Sequence, residues 1–448
     1  MSEPIISVSG LRGIVGESLT PETAIRYVGA FAAQLPPGPL VVTRDGRTTG
    51  PMLADAVRAA AVAAGRDCID GGIAATPTTG ILVREFQAAG GVQISASHNP
   101  PPYNGLKLFS TAGRVIPADE GKLVVDRYHS REIPWAAYDQ LGFVNTPADV
   151  TTAHLQKVLA TVDVAAIRQR KFRVLLDANH GSGSILGRRL LEELGCTITL
   201  LGGTPDGRFA HPPEPTAENL VEVSAAVKQH DCDVGFCQDP DADRLALIDA
   251  AGRYIGEEYT PAICADHVLR HNPGPVVTNC SSSRMVEDLA EKYRVPFYRS
   301  AVGEANVCDE MIRREAVFGG EGNGGVIDPR VVYVRDSFVG MALVLDCLAS
   351  RATTVAALVD DLPRYEIVKT KISLPPEKLK AGLLALEKEF VGAATDSLDG
   401  LRFDWPGKWL LVRASNTEPI VRAIAEAPTE FEAQKLCDTA GQVLRALL

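Results

Sequence analysis

Short apolar runs alternate with longer segments of helical periodicity over the first 365 residues of the chain. The runs Pro39–Val42 and Val92–Ser95 are rich in Val and Ile, and Met52–Ala64 between them repeats its apolar positions at helical spacing. The same alternation restarts near residue 172 and again near residue 276. Strands and helices alternating at this spacing predict mostly parallel α/β sheets.

The last part of the chain has a different order of elements. We expect helices at Leu379–Phe390 and Glu430–Leu448, and strands between them at Leu401–Trp405, Trp409–Arg413 and Ile420–Glu426. Strands that follow one another without intervening helices indicate an α+β module.

The length of 448 residues corresponds to three or four domains at roughly 100–200 residues each. The restarts of the pattern give four predicted domains, with boundaries near 150, 253 and 366. The fold class is therefore α/β, with three similar mixed α/β domains and a C-terminal α+β domain. The predicted domains are 1–150, 151–253, 254–365 and 366–448.

The composition of the chain narrows the classes of molecule that we expect it to bind. The chain has 45 Lys and Arg residues against 56 Asp and Glu residues, a net charge of −11, so neither nucleic acid nor an anionic membrane is an expected partner. The apolar run Phe338–Leu345 ends at Asp346 and is too short to cross a bilayer. Nine scattered cysteines without a CxxC pair, and no signal-peptide pattern, predict a cytoplasmic protein with reduced thiols.

A polar loop follows a buried strand at Ser95–Lys107. It begins Ser-Ala-Ser-His-Asn-Pro, and Pro100 prevents a helix or strand from continuing, so Ser97 stands on a rigid loop. This pattern is compatible with a simple Asx-type turn and also with a serine that carries a phosphoryl group. No G-x-S-x-G elbow occurs, which disfavours an α/β-hydrolase.

A second polar loop, Asp239-Pro-Asp-Ala-Asp-Arg244, also follows a strand. Its three carboxylates at alternate positions offer oxygen ligands to a hard cation such as Mg²⁺ or Ca²⁺. An EF-hand is disfavoured because Arg244 and Ala250 stand where that loop needs Gly and Glu. A solvated acidic turn is the alternative reading.

Two further loops complete the set. Five glycines in Gly319–Gly325 let the backbone approach a ligand, while Glu321 and Asn323 offer an acceptor and an amide to sugar hydroxyls. The run Arg413–Pro419, with Arg422 beyond it, combines arginine, hydroxyls and backbone N–H groups as a phosphate site does. Taken singly, each is compatible with an ordinary turn. Because ligands bind at the carboxyl ends of strands in open α/β sheets, we expect the four loops to share a central cleft.

The four loops in this order resemble the signature loops of the α-D-phosphohexomutases, the phosphoglucomutase/phosphomannomutase superfamily. The resemblance covers nearly the whole chain and includes Ser9–Gly13, Asp45–Arg47, Asp177–Gly183 and Pro213–Pro215. It implies four domains around one deep cleft. It also implies reversible transfer of a phosphoryl group between the 1- and 6-positions of a hexose or hexosamine phosphate, through a phosphoserine and a sugar 1,6-bisphosphate, which also serves as activator.

The resemblance assigns roles to particular residues. It makes Ser97 the phosphoserine, with Mg²⁺ held by Asp239, Asp241, Asp243 and an oxygen on Ser97. Arg12, His98, Lys107 and Arg244 would assist transfer, and a buried Lys107 with a lowered pKa could exchange the hydroxyl proton. Glu321 and Asn323 would bind the sugar 3- and 4-hydroxyls. The residues expected to bind the second phosphate are Arg413, Ser415, Asn416, Thr417 and Arg422.

One departure from the family pattern matters. Many bacterial members carry a histidine where this chain has Gly325, so we expect Lys107 to take the acid/base role instead. The forms GEGNGG and RASNTEP resemble an archaeal-type branch that acts on phosphoglucosamine, phosphomannose or phosphoglucose. Phosphoglucosamine mutase is the first choice and phosphomannomutase/phosphoglucomutase the alternative. Two less favoured classes are a phosphatase with Asp239 as nucleophile and a sugar-phosphate sensor without turnover.

Overall fold

The computed structural model describes residues 3–7, 10–414 and 420–447. They form four β-sheets, each with its own helices. The strands of the first sheet are β1 (Ile5–Ser7), β2 (Gly10–Ile14), β3 (Leu40–Arg44), β4 (Cys68–Ile73), β5 (Gly90–Ile94), β6 (Tyr103–Phe109) and β7 (Val144–Asn145). Its helices are α1 (Pro21–Ala32), α2 (Gly50–Ala63), α3 (Thr76–Glu85) and α4 (Ala118–Ser130).

The second and third sheets have four strands each. The second contains β8 (Arg173–Asp177), β9 (Thr197–Leu201), β10 (Val234–Gln238) and β11 (Leu245–Asp249), with helices α5 (Thr152–Leu159), α6 (Val164–Arg170), α7 (Gly183–Glu193) and α8 (Val221–Gln229). The third contains β12 (Val276–Asn279), β13 (Phe297–Ser300), β14 (Phe318–Glu321) and β15 (Gly325–Ile327). Its helices are α9 (Tyr259–His271), α10 (Met285–Tyr293), α11 (Glu304–Arg314), α12 (Ser337–Ser350) and α13 (Val355–Asp360).

The three sheets repeat one topology. Their shared strand orders are β6-β5-β3-β4, β11-β10-β8-β9 and β15-β14-β12-β13. In each, three parallel strands are followed by a fourth that returns antiparallel to the third. The serine, acidic and glycine-rich loops are the three equivalent connections into that fourth strand, so the sheets present them in the same way.

The antiparallel fourth strands are compatible with the predicted mostly parallel, mixed sheets, but the sequence pattern did not locate them. The predicted serine loop ran to Lys107, but Tyr103–Phe109 forms β6 and pairs with both β2 and β5, so the loop itself ends at residue 102. The mixed α/β fold class and the three-fold repetition are confirmed. The predicted boundaries near 150 and 253 stay predictions; each falls between the last strand of one sheet and the first strand of the next.

The fourth sheet is antiparallel throughout. Its order is β16-β20-β19-β18-β17, from β16 (Glu366–Ser373), β17 (Ala394–Asp396), β18 (Leu401–Trp405), β19 (Lys408–Ala414) and β20 (Ile420–Ala427). A 3-10 turn at Pro376–Lys378 leads into α14 (Leu379–Glu389), and α15 (Glu430–Arg445) packs on β16 and β20. The predicted boundary near 366, also untested, falls where β16 begins.

Helix ends and burial follow from local sequence. Thr20 accepts a hydrogen bond from the backbone N–H of Thr23, and Pro21 opens α1 at a position where its missing N–H costs nothing. The apolar run of α12 has no polar face because the helix is buried on nearly all sides. Within the described residues, no helix is long and apolar enough to span a membrane.

Candidate functional site

Ser97 sits in a strained and firmly held backbone. Its φ of 49° lies in the left-handed region, which costs a non-glycine residue roughly 1–2 kcal/mol. Ser97 N donates to Ser95 Oγ at 2.8 Å, and Ser95 Oγ donates to Asp45 Oδ2 at 2.7 Å. Arg47, paired with Asp45 at 3.0 Å, donates to the Ser97 carbonyl at 2.6 Å. These contacts hold the backbone that carries the Ser97 side chain.

The acidic loop meets the serine loop at this point. Ser97 Oγ donates to Asp239 Oδ2 at 2.8 Å, while Asp239 Oδ1 accepts the backbone N–H groups of Asp243 and Arg244 at 3.1 Å each. These bonds fold the loop back on itself and aim Asp239 at the serine. The second sheet therefore supplies the carboxylate and the first sheet supplies the hydroxyl.

Three carboxylates gather beside Ser97. Ligand oxygens of Asp239, Asp241 and Asp243 lie within 4.8 Å of one another, and all three residues are buried. Asp241 Oδ1 and Asp243 Oδ1 have no hydrogen-bond partner in the described part of the chain. Buried carboxylate oxygens without partners are costly unless a cation binds them. This donor set fits a hard divalent cation of the Mg²⁺ type.

The close approach of these buried carboxylates also shifts the pKa values of Asp239 and Asp243. Burial, with Asp241 and Asp243 alongside, raises the pKa of Asp239 well above its ordinary value. Burial alone would raise the pKa of Asp243 too, but the cations Arg335 and Lys107 outweigh it and lower that pKa. The loop thus needs positive charge to keep Asp239 and Asp243 ionised together.

Lys107 supplies part of that charge. Its Nζ lies 2.9 Å from Asp243 Oδ2 and 3.4 Å from Asp241 Oδ2. Burial would lower the pKa of Lys107, but the two carboxylates outweigh burial and raise it. The expectation of a lowered pKa at Lys107 is therefore wrong, because that expectation counted desolvation without the neighbouring carboxylates. Lys107 acts here as a fixed positive charge.

The other predicted basic residues line or flank one cavity. A cavity of about 520 Å³ is lined by Arg12, Ser97, His98, Lys107 and, from the fourth sheet, Arg422. Burial, with Arg244 and Arg12 nearby, lowers the pKa of His98 well below its ordinary value. Arg244 lies 4.0 Å from Asp243 Oδ1, measured from its Nε. An acidic chain therefore builds a locally cationic cavity, suited to a small anion.

The glycine-rich loop stands next to the acidic loop. Glu321 closes β14; its Oε1 accepts from Asn279 Nδ2 at 2.7 Å and from the Gly303 N–H at 3.2 Å. Asn323 Oδ1 is buried and has no hydrogen-bond partner among the residues described. The Leu245 N–H bonds the Gly324 carbonyl at 3.1 Å, which holds this loop against the start of β11.

The fourth predicted loop is described only in part. Arg413 Nε donates to Asp399 Oδ1 at 3.1 Å, and Asp399 also accepts the Val302 N–H at 3.0 Å. Arg413 and Arg422 are directly opposite in neighbouring strands. The remaining predicted phosphate ligands, Ser415, Asn416 and Thr417, lie outside the described residues.

Sequence reasoning missed Arg335. Its Nη2 donates to Asp243 Oδ2 at 2.6 Å, and its Nη1 donates to Glu321 Oε2. Arg335 lies just before α12, outside all four loops, so no motif pointed to it. A lone arginine preceding a strongly apolar run, followed by the helix cap Asp336, was the only available signal.

Comparison with known proteins agrees with this geometry. Models of the phosphoglucomutase/phosphomannomutase family match the chain in four parts: alpha/beta/alpha domain I at residues 5–133, domain II at 152–252, domain III at 257–365 and the C-terminal domain at 375–440. A phosphoglucomutase/phosphomannomutase of Thermococcus kodakarensis is 36% identical, with 98% of each chain covered. A phosphoglucosamine/phosphogalactosamine mutase of Sulfurisphaera tokodaii is 32% identical, covering 98% of this chain and 99% of that protein.

Solved structures show the same likeness. The crystal structure of a phosphoglucomutase/phosphomannomutase family protein from Burkholderia thailandensis matches with a TM-score of 0.86 and 28% identity, covering 99% of this chain and 98% of that one. Four matched domains, near-complete coverage and a shared fold agree with the loops described above. The chain belongs to the phosphoglucomutase/phosphomannomutase family and is a phosphohexomutase, an isomerase that transfers a phosphoryl group within a hexose phosphate.

Proposed function

We propose that this phosphohexomutase acts on glucosamine phosphate, interconverting the 6-phosphate and the 1-phosphate with Ser97 as the phosphoryl carrier. The observation that carries the proposal is the direct contact of Ser97 Oγ with the acidic loop, at 2.8 Å from Asp239. The preference for the amino sugar is supported by the Sulfurisphaera relative, whose name specifies phosphoglucosamine and phosphogalactosamine. The Thermococcus relative, named for phosphoglucose and phosphomannose, supports the alternative.

In the proposed mechanism, phosphorylated Ser97 transfers its phosphoryl group to a sugar hydroxyl. The P–Oγ bond breaks and a bond from phosphorus to the sugar oxygen forms, giving a sugar 1,6-bisphosphate. The proton of the attacking sugar hydroxyl passes to the Ser97 oxygen that the broken bond releases, so the serine hydroxyl is restored; His98, whose Nδ1 lies 3.3 Å from Ser97 Oγ, can hydrogen-bond to that oxygen. The bisphosphate then reverses its orientation in the cavity, and its other phosphoryl group is transferred back to Ser97. Added bisphosphate, the proposed activator, primes Ser97 by the same reaction.

The chain's own cations neutralise the transferring group. Lys107 and Arg12 line the cavity that contains Ser97, and Arg244 lies beside Asp243 in the acidic loop. Fixed positive charge stabilises phosphoryl transfer more than covalent help does. The proposed Mg²⁺ ligands are Asp239, Asp241, Asp243 and an oxygen on Ser97. When bound, Mg²⁺ would neutralise charge on the transferring phosphoryl group.

A fixed second-phosphate site explains how one serine serves both ends of the sugar. We assign that site to Arg413, Arg422 and the segment containing Ser415, Asn416 and Thr417, and we assign the 3- and 4-hydroxyls to Glu321 and Asn323. Those hydroxyls lie near the pseudo-symmetry axis of the sugar, so the same contacts serve both orientations. Arg422 lines the same cavity as Ser97, which supports the proposal that one phosphosugar contacts both. The reaction is expected in the cytoplasm.

A substrate panel tests the choice of sugar. The 1- and 6-phosphates of glucosamine, glucose and mannose are compared at equal concentration with Mg²⁺ and the matching bisphosphate. We expect the highest kcat/KM for glucosamine phosphate. A higher value for mannose or glucose phosphate would contradict the amino-sugar proposal and favour the alternative, while leaving the mutase assignment intact.

Arg422→Gln tests the second-phosphate site. Because this substitution removes one charge-assisted hydrogen bond to phosphate, we expect KM for the sugar phosphate to rise about tenfold or more. Steady-state kinetics check the result. Arg445→Gln, at an exposed position in the last turn of α15, removes the same charge as a control and should leave KM unchanged. Equal effects of the two substitutions would contradict a local role for Arg422.

A further inference from the structure

At the edge of the glycine-rich loop, the side chain of Arg335 occupies the space that a side chain at position 325 would need. A Cβ atom added to Gly325 would lie 2.3 Å from Arg335 Cδ and 2.9 Å from its Cγ. The backbone of Gly325 has an ordinary φ, unlike the neighbouring Gly324 with φ of 79°. The requirement for glycine at 325 therefore comes from the arginine side chain that occupies the space, and not from backbone conformation.

The arginine that fills this space connects two loops of the site. Its guanidinium donates through Nη2 to Asp243 in the acidic loop and through Nη1 to Glu321 in the glycine-rich loop. The residue is only 9% exposed. Its backbone N–H donates to Glu304 Oε1 at 2.7 Å, which fixes the chain where the side chain begins.

The guanidinium is suited to this bridge for geometric reasons. It is planar, permanently charged and presents donors in a rigid fork, so it can hold two carboxylates at a fixed separation. Asp243 Oδ2 receives both Arg335 and Lys107, at 2.6 and 2.9 Å. The other oxygen of this carboxylate, Oδ1, has no hydrogen-bond partner in the described structure. Arg335 thus orients Asp243 while leaving an oxygen for a cation.

We propose that Arg335 is a positioning residue for the mutase reaction, and that Gly325 is required because it leaves room for this arginine. One edge of the guanidinium orients the proposed metal ligand Asp243, and the other orients the proposed sugar ligand Glu321. The side chain takes up the space that a histidine at position 325 would need. Arg335 thereby fixes the position of the acidic loop relative to the glycine-rich loop. The inference rests on the proposed roles of Asp243 and Glu321.

Arg335→Lys tests the bridge with its charge retained. A single ammonium cannot hold both carboxylates in the geometry of the fork, so we expect kcat/KM to fall about 100-fold. Both KM for the sugar phosphate and the Mg²⁺ concentration for half-maximal activity should rise, with Tm nearly unchanged. Arg330→Lys is the matched control, because Arg330 also forks onto a buried carboxylate, that of Asp328, outside the cavity. It should leave KM and the Mg²⁺ response unchanged.

A double-mutant cycle tests the shared volume. Gly325→Ala should lower activity in the wild-type background by displacing the arginine, and should cost little in the Arg335→Gly background, where the space is free. A harmless Gly325→Ala in the wild type would overturn the packing argument. If Arg335→Lys lowers Tm alone, without raising KM or the Mg²⁺ requirement, the arginine is structural and the proposal fails. Measuring each variant with the best wild-type sugar keeps this outcome separate from an error in the proposed substrate.

Discussion

Ser97→Ala should reduce mutase activity by at least about 10³-fold, because the hydroxyl is the only proposed carrier of the phosphoryl group. The alanine keeps the backbone but removes the oxygen that stands 2.8 Å from Asp239. Wild-type protein incubated with sugar bisphosphate should gain the mass of one phosphoryl group, on the peptide that contains Ser97. The variant should show no such gain. Intact-mass and peptide analysis, with coupled assays of turnover, measure both effects.

A second buried serine provides the control for this experiment. Ser110 follows β6 and is 6% exposed, similar to Ser97 at 5%. Ser110→Ala removes the same hydroxyl at a position outside the cavity and should keep full activity and full phosphorylation. Normal turnover by Ser97→Ala would contradict the carrier role. Phosphate found on Asp239 would instead favour an aspartyl-phosphate mechanism.

Holding Ser97 in this position costs folding free energy. The residue has a left-handed backbone, and its neighbours Ser95, Asp45 and Arg47 are buried to hold it there. Burial raises the pKa of Asp45 to about 6, although Arg47 and Ser95 oppose the shift. Such strain is retained where a site must be organised before its ligand binds. We therefore regard the Asp45–Arg47 pair as the support of the serine loop.

The repeated α/β order could be predicted from sequence because each strand and helix carries its own periodicity. The loops could be found because polar residues are dense there and follow strands directly. The antiparallel return strands were harder, since Tyr103–Phe109 begins with polar and glycine residues that continue the loop pattern. Their pairing depends on neighbours distant in sequence, such as β2, which no local signal specifies.

Charge balance inside the site was the other part that sequence could not supply. A buried lysine alone would have a lowered pKa, and only the fold shows that Asp241 and Asp243 lie beside Lys107. The role of Arg335 likewise depends on its contacts with Asp243 and Glu321, which lie 92 and 14 positions away in the sequence. The groups with recognisable spacing could be predicted from sequence, whereas the cation that joins them could not.

Asp241 offers the sharpest test of the metal site, because its two oxygens differ. Oδ2 accepts hydrogen bonds from Thr76 Oγ1 and lies 3.4 Å from Lys107 Nζ, whereas Oδ1 has no partner in the part of the chain that is described. An asparagine can keep its carbonyl oxygen on the side of Thr76. Its NH₂ group then replaces the unpartnered Oδ1 and removes one of three crowded negative charges.

Asp241→Asn should therefore separate stability from function. Without divalent cations the variant should be more stable than the wild type by about 1–2 kcal/mol, seen as a Tm higher by about 1–2 °C for a chain of this length. Saturating Mg²⁺ should stabilise the wild type, by about 2.7 kcal/mol at 100 times Kd, and should scarcely move the variant, whose activity should be lost. Thermal unfolding with EDTA and with Mg²⁺ measures both. Asp139→Asn, an exposed position, removes the same charge and should change neither value. A wild-type Tm that does not respond to Mg²⁺ would contradict the metal site. The charge of the three buried carboxylates would then have to be balanced without a metal ion, by protons and by Lys107 and Arg335 alone.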